Sequence, residues 1–146
     1  MKVSTRGDYA ARALLSLALH GSSEPTSVKE IAERTGLPQP YLEQILLAAK
    51  GAGLVRSKRG VGGGYVLARP PERITLAEIL AAVDGPLSTP VGEHDHCEGH
   101  CVLQEVWAQV SEATRALLDG VTLADLVART RIGHPEAIPR DGAGPR

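Results

Sequence analysis

The fold of this protein is decided by residues 37–70, LPQPYLEQILLAAKGAGLVRSKRGVGGGYVLARP, which join a helical pattern to a glycine-rich hairpin pattern. Apolar residues recur at helical spacing in the first half of this stretch: Leu42, Ile45, Leu46 and Ala49. Gly51 and Gly53 follow the last helical turn, and two short apolar segments, 54–55 and 65–67, then flank the sequence SKRGVGGG. The stretch therefore predicts an amphipathic helix followed by an antiparallel β-hairpin with a basic tip.

A second helix is predicted directly before this stretch. Ser27 directly precedes the helical sequence VKEIAERT. Glu30, within that sequence, lies three residues after Ser27, as in a capping box. Two helices joined by a short turn that contains glycine form a helix-turn-helix, and the hairpin adds a wing. The second helix of such a unit enters the DNA major groove. The wing tip, with Lys58 and Arg59 beside Gly60, suits a narrow minor groove. Glycine has no side chain that would keep the backbone away from the groove.

The rest of the chain is predicted to be mainly helical, so the fold class is mainly α with a small β-wing. A long helical pattern from Cys101 to Leu118 carries an apolar stripe too wide for one small domain to cover, which implies a partner helix. Residues 87–100 have no periodicity and are predicted to form a loop. We divide the chain into a winged helix-turn-helix domain (1–73), a connecting helix (74–86), a ligand or sensor loop (87–100), dimerisation helices (101–130) and a disordered tail (131–146).

The charge distribution favours a nucleic-acid partner for the first half of the chain. Residues 1–73 contain eleven Lys or Arg and six Asp or Glu, whereas residues 74–146 contain five and eleven. The halves therefore carry +5 and −6, which sum to the net charge of −1. No segment approaches the ~20 apolar residues of a membrane helix, and the first residues lack an apolar signal region, so we expect a cytoplasmic protein.

Nothing in the sequence favours an enzyme. A nucleotide-binding glycine loop, a nucleophilic serine motif and a carboxylate pair with catalytic spacing are all missing from the sequence. A small zinc hydrolase built on the His and Cys residues would also need a pocket and a catalytic base. The main alternative to DNA binding is a metal-binding adaptor or metal-buffering protein that does not bind DNA. The charge division between the halves argues against this alternative.

Three motifs resemble those of the winged-helix transcriptional regulators that include the iron–sulfur sensors IscR and NsrR. These motifs are PYLEQIL at 40–46, RGxxGGYxLARPP at 59–71 and CxLxxxW at 101–107, and the resemblance covers about residues 1–130. It implies a homodimeric regulator, interpreted here as a repressor, whose long helices cross at the dimer interface. A two-fold dimer reads a two-fold site, so a near-palindromic operator is expected. We predict that the interface includes Trp107, Val110 and Leu117.

The resemblance also implies which residues contact DNA. Gln can pair with adenine and Glu can accept from cytosine, so the residue types of the second helix suit major-groove reading. Arg59 matches the minor-groove arginine of these regulators. Pro38 and Pro40 cannot donate hydrogen bonds from their side chains, so the base preference should differ from that of relatives with Ser beside the Tyr. The predicted contacts are Ser27, Pro38, Gln39, Pro40, Tyr41, Glu43, Gln44, Ser57, Lys58, Arg59 and Gly60.

A sensing site is predicted around the two cysteines, Cys97 and Cys101. Cys101 matches the last cluster cysteine of the resembling sensors and Asp8 matches a first-helix acid that some of them use across the dimer. The spacing of Cys97 departs from their pattern, and the sequence has no third cysteine. Possible further ligands are His94, His96, His100 and Asp8. Three interpretations stay open: an iron–sulfur cluster, 2Fe–2S in preference to 4Fe–4S; Zn or another divalent ion; and a metal-free loop with thiol redox chemistry.

Overall fold

The computed structural model describes residues 3–20, 24–86 and 98–133, and this part of the chain contains six α-helices and one two-stranded sheet. Side-chain caps define the first two helix starts. Ser4 accepts a hydrogen bond from the backbone N–H of Gly7, and Ser27 accepts one from that of Glu30. Such caps satisfy N–H groups that have no partner inside the helix. The helices are α1 (Thr5–Leu19), α2 (Val28–Thr35), α3 (Gln39–Gly51), α4 (Leu76–Asp84), α5 (His100–Asp119) and α6 (Leu123–Gly133).

The predicted helix-turn-helix and wing are both confirmed. α2 ends at Gly36, whose left-handed backbone (φ 74°) turns the chain into α3. After α3, strand β1 (Val55–Lys58) pairs antiparallel with β2 (Gly64–Leu67). The hairpin is also bonded to the segment before α2, because the backbone of Thr26 exchanges two hydrogen bonds with that of Tyr65, of 2.9 and 2.8 Å. A third length of backbone thereby pairs with β2 near the tip end of the hairpin.

One apolar core holds the winged helix together. α1 crosses its centre and packs against α2, α3, α4 and α6. Most of the core side chains are nearly inaccessible to solvent, and each buried Leu or Ile stabilises the fold by roughly 1.5–3 kcal/mol. The largest fully buried side chains are those of Leu14, Ile31, Leu42, Ile45, Leu46, Leu54, Val55, Ile74, Ile79 and Leu123.

The last helix, α6, completes this core. The backbone N–H of Leu123 donates to the carbonyl of Ile74 at 2.9 Å, and that of Leu76 donates to the carbonyl of Val121 at 2.8 Å. Leu123 is fully buried. The backbone N–H of Thr122 donates to Asp125 at the start of α6 and lowers the pKa of that carboxyl below its ordinary value. α6 therefore packs with the winged helix, whereas the sequence predicts it as one of the dimerisation helices.

The predicted tail and the predicted sensor loop lie only partly within the described residues. α6 continues to Gly133, so the first three residues of the predicted tail are helical, and residues 134–146 lie outside the described residues. Of the predicted sensor loop, residues 87–97 also lie outside them, and His100 is the first residue of α5. None of the helices in the described ranges is both long enough and apolar enough to span a membrane.

Candidate nucleic-acid interface

The predicted reading helix, α3, has one buried side and one exposed side. Its buried stripe consists of the predicted residues Leu42, Ile45, Leu46 and Ala49. The predicted DNA contacts of this segment are all on the exposed side: Pro38, Gln39, Pro40, Tyr41, Glu43 and Gln44. The amide and carboxylate groups in this set can donate to or accept from base edges. The fold thus leaves every candidate reader of this helix accessible to a major groove.

The first turn of α3 is supported by aromatic packing. Pro38, its N-cap, makes no side-chain capping hydrogen bond. The ring of Tyr41 instead packs edge-to-face on that of Tyr9 from α1, with centroids 5.5 Å apart and an interplanar angle of 83°. The guanidinium of Arg12 lies 5.9 Å from the centroid of Tyr9, and the carboxylate of Asp8 is 3.0 Å from Arg12. An edge-to-face ring pair such as Tyr9 and Tyr41 contributes about 0.5–1.5 kcal/mol and fixes the orientation of the two rings.

The wing presents its cations on a tight turn. Ser57, Lys58, Arg59 and Gly60 are all exposed. Gly60 and Gly62 have φ values of 94° and 73°, and the N–H of Gly63 donates to the carbonyl of Gly60 at 2.9 Å. Residues other than glycine rarely adopt these left-handed backbone conformations. The glycine-rich sequence therefore produces a narrow tip whose Arg59 extends into solvent.

Comparison with known proteins identifies the architecture. The model of the family described as Rrf2, iron-dependent transcriptional regulator, matches residues 3–129. The HTH-type transcriptional regulator CymR of Bacillus subtilis is 39% identical over 137 residues, which cover 94% of this chain and 96% of CymR. The chain belongs to the Rrf2 family.

Solved structures of relatives agree with this assignment. CymR of B. subtilis, described as its global cysteine regulator, superposes with a TM-score of 0.78 at 36% identity, covering 88% of this chain and 98% of CymR. IscR of T. potens gives a TM-score of 0.75 at 37% identity, covering 97% of this chain and 95% of IscR. An oxidized form of CymR from Staphylococcus aureus gives a TM-score of 0.72 at 34% identity, covering 87% of this chain and 96% of that CymR. This Rrf2 protein is therefore a DNA-binding transcriptional regulator, and the relatives compared are regulators, not enzymes.

Ser27 stabilises the start of α2 in this Rrf2 regulator. Its hydroxyl oxygen accepts from the N–H of Glu30 at 3.1 Å and thereby caps α2. The side chain is half-buried. Its predicted contact with DNA stays a prediction, and the hydroxyl hydrogen is the part of the side chain that could donate to a phosphate oxygen.

Most of the predicted sensing site lies outside the described residues, so the metal site stays a prediction. Cys97, His94 and His96 lie outside the described residues, as does the side chain of His100. Cys101 is in the first turn of α5 and is disulfide-bonded in this structure. The carboxylate of Asp8 pairs with Arg12 of the same helix. Among the residues that the structure describes, no cluster of three His, Cys, Asp or Glu side chains could hold an ion.

The predicted interface residues lie on the exposed face of α5. Trp107, Val110 and Leu117 are 49%, 47% and 70% exposed. They share this face with three further large apolar side chains, Val102, Leu103 and Val106. Most of α5 is in contact with solvent, and among the other helices it packs chiefly on α4.

Two features of the candidate interface are not among the predictions from the sequence. The contact of Tyr9 with Tyr41 joins residues far apart in the sequence, and no local pattern indicates it. Leu47 is exposed on α3, among the polar candidate readers. The exposure of Leu47 can be predicted from the sequence, because helical periodicity puts position 47 outside the buried stripe of 42, 45, 46 and 49.

Proposed function

We propose that this Rrf2 protein is a homodimeric, cytoplasmic repressor that reads a near-palindromic operator with two copies of α3 and the wing. The observation that carries the proposal is the apolar face of α5. Six large apolar side chains on this one helix are each 41–70% exposed. Contiguous apolar exposure of this kind is rare on monomers and marks an interaction surface.

The spacing of these side chains supports a second copy of α5 as the partner. Leu103, Val110 and Leu117 are separated by seven residues each, and Val106 and Ala113 are likewise seven apart. A heptad of this kind produces a continuous apolar seam, which packs against the same seam of another helix. Because a two-fold axis puts the same patch on both sides of the interface, one seam suffices for both protomers.

Each protomer would then contribute one reading unit to the operator. Gln39, Glu43 and Gln44 are the proposed base-reading side chains in the major groove, and Arg59 is the proposed minor-groove side chain. Ser57 and Lys58 are proposed to contact phosphates, which set affinity and register without reading sequence. DNA lies in the cytoplasm of bacteria such as those of the compared relatives, which supports that location.

The signal is proposed to be the thiol redox state of Cys101. Its disulfide-bonded state supports this interpretation over a metal, and Cys97 is the other cysteine of the sequence. Oxidation of the two thiols releases two electrons and two protons, which a hydroperoxide accepts as it becomes an alcohol and water. Since Cys101 is the second residue of α5, the bond would alter the start of the proposed dimer helix.

Operator binding under two redox conditions tests the signal. We expect the affinity of the reduced and the peroxide-oxidised protein to differ by at least about fivefold, a common size for coupling between sites. Cys101→Ser and Cys97→Ser should each abolish the difference and bind with equal affinity in both conditions. Anaerobic purification with metal analysis and an absorption spectrum provides the second measurement. Stoichiometric iron or zinc, or a redox difference that persists in Cys101→Ser, contradicts a purely thiol-based signal.

A further inference from the structure

Exposed apolar side chains of the winged helix are concentrated on its proposed DNA-reading elements. Between residues 3 and 86, the described residues include four exposed large apolar side chains: Val3, Tyr41, Leu47 and Val61. Two of these are on α3 and one is at the wing tip, although α3 and the wing tip make up a small part of this region. Single exposed apolar residues are ordinary on protein surfaces, but their concentration on a binding surface is informative.

Leu47 lies near the middle of the exposed side of α3. Its side chain is 59% exposed, whereas Leu46 beside it is fully buried. At about 100° per residue, Leu47 projects about 40° from Glu43 and about 60° from Gln44 around the helix axis. It also lies about 6 Å along the axis from Glu43, one turn further into the helix. The leucine is therefore within the set of candidate base readers.

A positive charge in the next turn of α3 supports a position of Leu47 at the DNA surface. Lys50 follows Leu47 by three residues, so the two side chains are neighbours on the helix surface, and Lys50 is exposed. A cation next to the leucine can neutralise a phosphate at the edge of the groove. The dimer face on α5 is a separate apolar surface on another helix, so the proposed dimer offers no reason for an apolar residue at position 47.

We propose that Leu47 contacts the C5 methyl group of a thymine and thereby sets a preference for that base at one position of each half-site. The methyl group of thymine is the apolar feature that base edges present in the major groove, so an apolar side chain there favours thymine over the other bases. This inference rests on the proposed reading of the major groove by α3, and it adds an apolar determinant to the polar ones.

The test uses DNA in which only the methyl group is removed. An operator is first selected from a random double-stranded library with the unmodified dimeric protein, and each thymine is then replaced singly by deoxyuridine. We expect one substitution per half-site to weaken binding about fourfold, the affinity equivalent of one buried methyl group. Leu47→Ala should bind the thymine and deoxyuridine operators equally. Leu47→Met, which keeps an apolar side chain, should retain the discrimination.

Folding does not complicate this test, because substitutions of exposed residues usually change stability little. Glu43→Ala is the matched control, since it removes a polar reader of the same helix face and should retain the fourfold effect of deoxyuridine. If deoxyuridine has no effect at any position, or if its effect persists in Leu47→Ala, the inference about Leu47 is wrong while the proposed function stands. A library from which no site is enriched overturns both.

Discussion

Arg59 depends on very little surrounding structure for its proposed function in DNA binding. It lies just before Gly60, at an exposed tip whose turn is defined by the hydrogen bond from Gly63 to Gly60. A narrow minor groove concentrates negative potential and attracts an arginine that enters it. The side chain therefore needs only an accessible tip, and the glycines of the turn provide this.

Replacement of Arg59 by alanine should lower operator affinity and also reduce its dependence on salt. The loss of one cation that neutralises phosphate charge reduces the slope of log affinity against log salt by about one. Fluorescence anisotropy titrations from ~50 to ~200 mM salt provide the measurement. Arg131→Ala, an exposed arginine on α6, is the control and should bind like the unmodified protein. Unchanged affinity and slope in Arg59→Ala would exclude the minor-groove assignment.

At the scale of elements, the wing is determined by a close approach of backbones as well as by its strand sequence. A side-chain carbon at Gly64 would overlap the backbone carbonyl of Thr26, and Gly64 also has a φ of 152°. Gly62 has a φ of 73°, but a side-chain carbon there would meet only open space. The two glycines are thus required for different reasons, although the sequence GVGGG gives no indication of the difference.

Gly64→Ala should therefore destabilise the protein more than Gly62→Ala. For Gly62→Ala we expect the backbone cost alone, about 1 kcal/mol in the free energy of unfolding. For Gly64→Ala we expect at least about 2 kcal/mol, because the strand must also separate from Thr26. Chemical denaturation measures both values. Equal losses for the two variants would contradict the proposed importance of the Thr26 contact.

Most of the elements could be predicted from the sequence because their signals are local. The cap at Ser27, the glycine turn after α2 and the apolar stripe of α3 each depend on a few neighbouring residues. The association of α6 with the core could not be predicted, because it depends on pairing of Leu123 with Ile74 across the whole of α5. For the site, residue types indicated the polar readers of α3, whereas the support of Tyr41 by Tyr9 required the tertiary structure.

The whole molecule is proposed to depend on α5 for its assembly. Trp107→Ala should convert the dimer largely to monomer at micromolar concentration, because truncation of a buried Trp costs about 3–5 kcal/mol. Light scattering would give a mass near 15.4 kDa for the variant and about twice that for the unmodified protein. Glu105→Ala, an exposed polar position of the same helix, is the control and should stay dimeric. A dimeric Trp107→Ala would mean that the interface lies elsewhere.

The burial of Leu123 also has a consequence for the order in which a new chain matures. The winged helix includes α6 in its core, so this core is incomplete until residues beyond α5 have been synthesised. Because domains fold as units as they emerge during synthesis, the proposed partner-binding helix is made before the DNA-reading unit can close. For the same reason, a fragment that ends after the wing would lack part of its own interior and should not fold as an independent DNA-binding module.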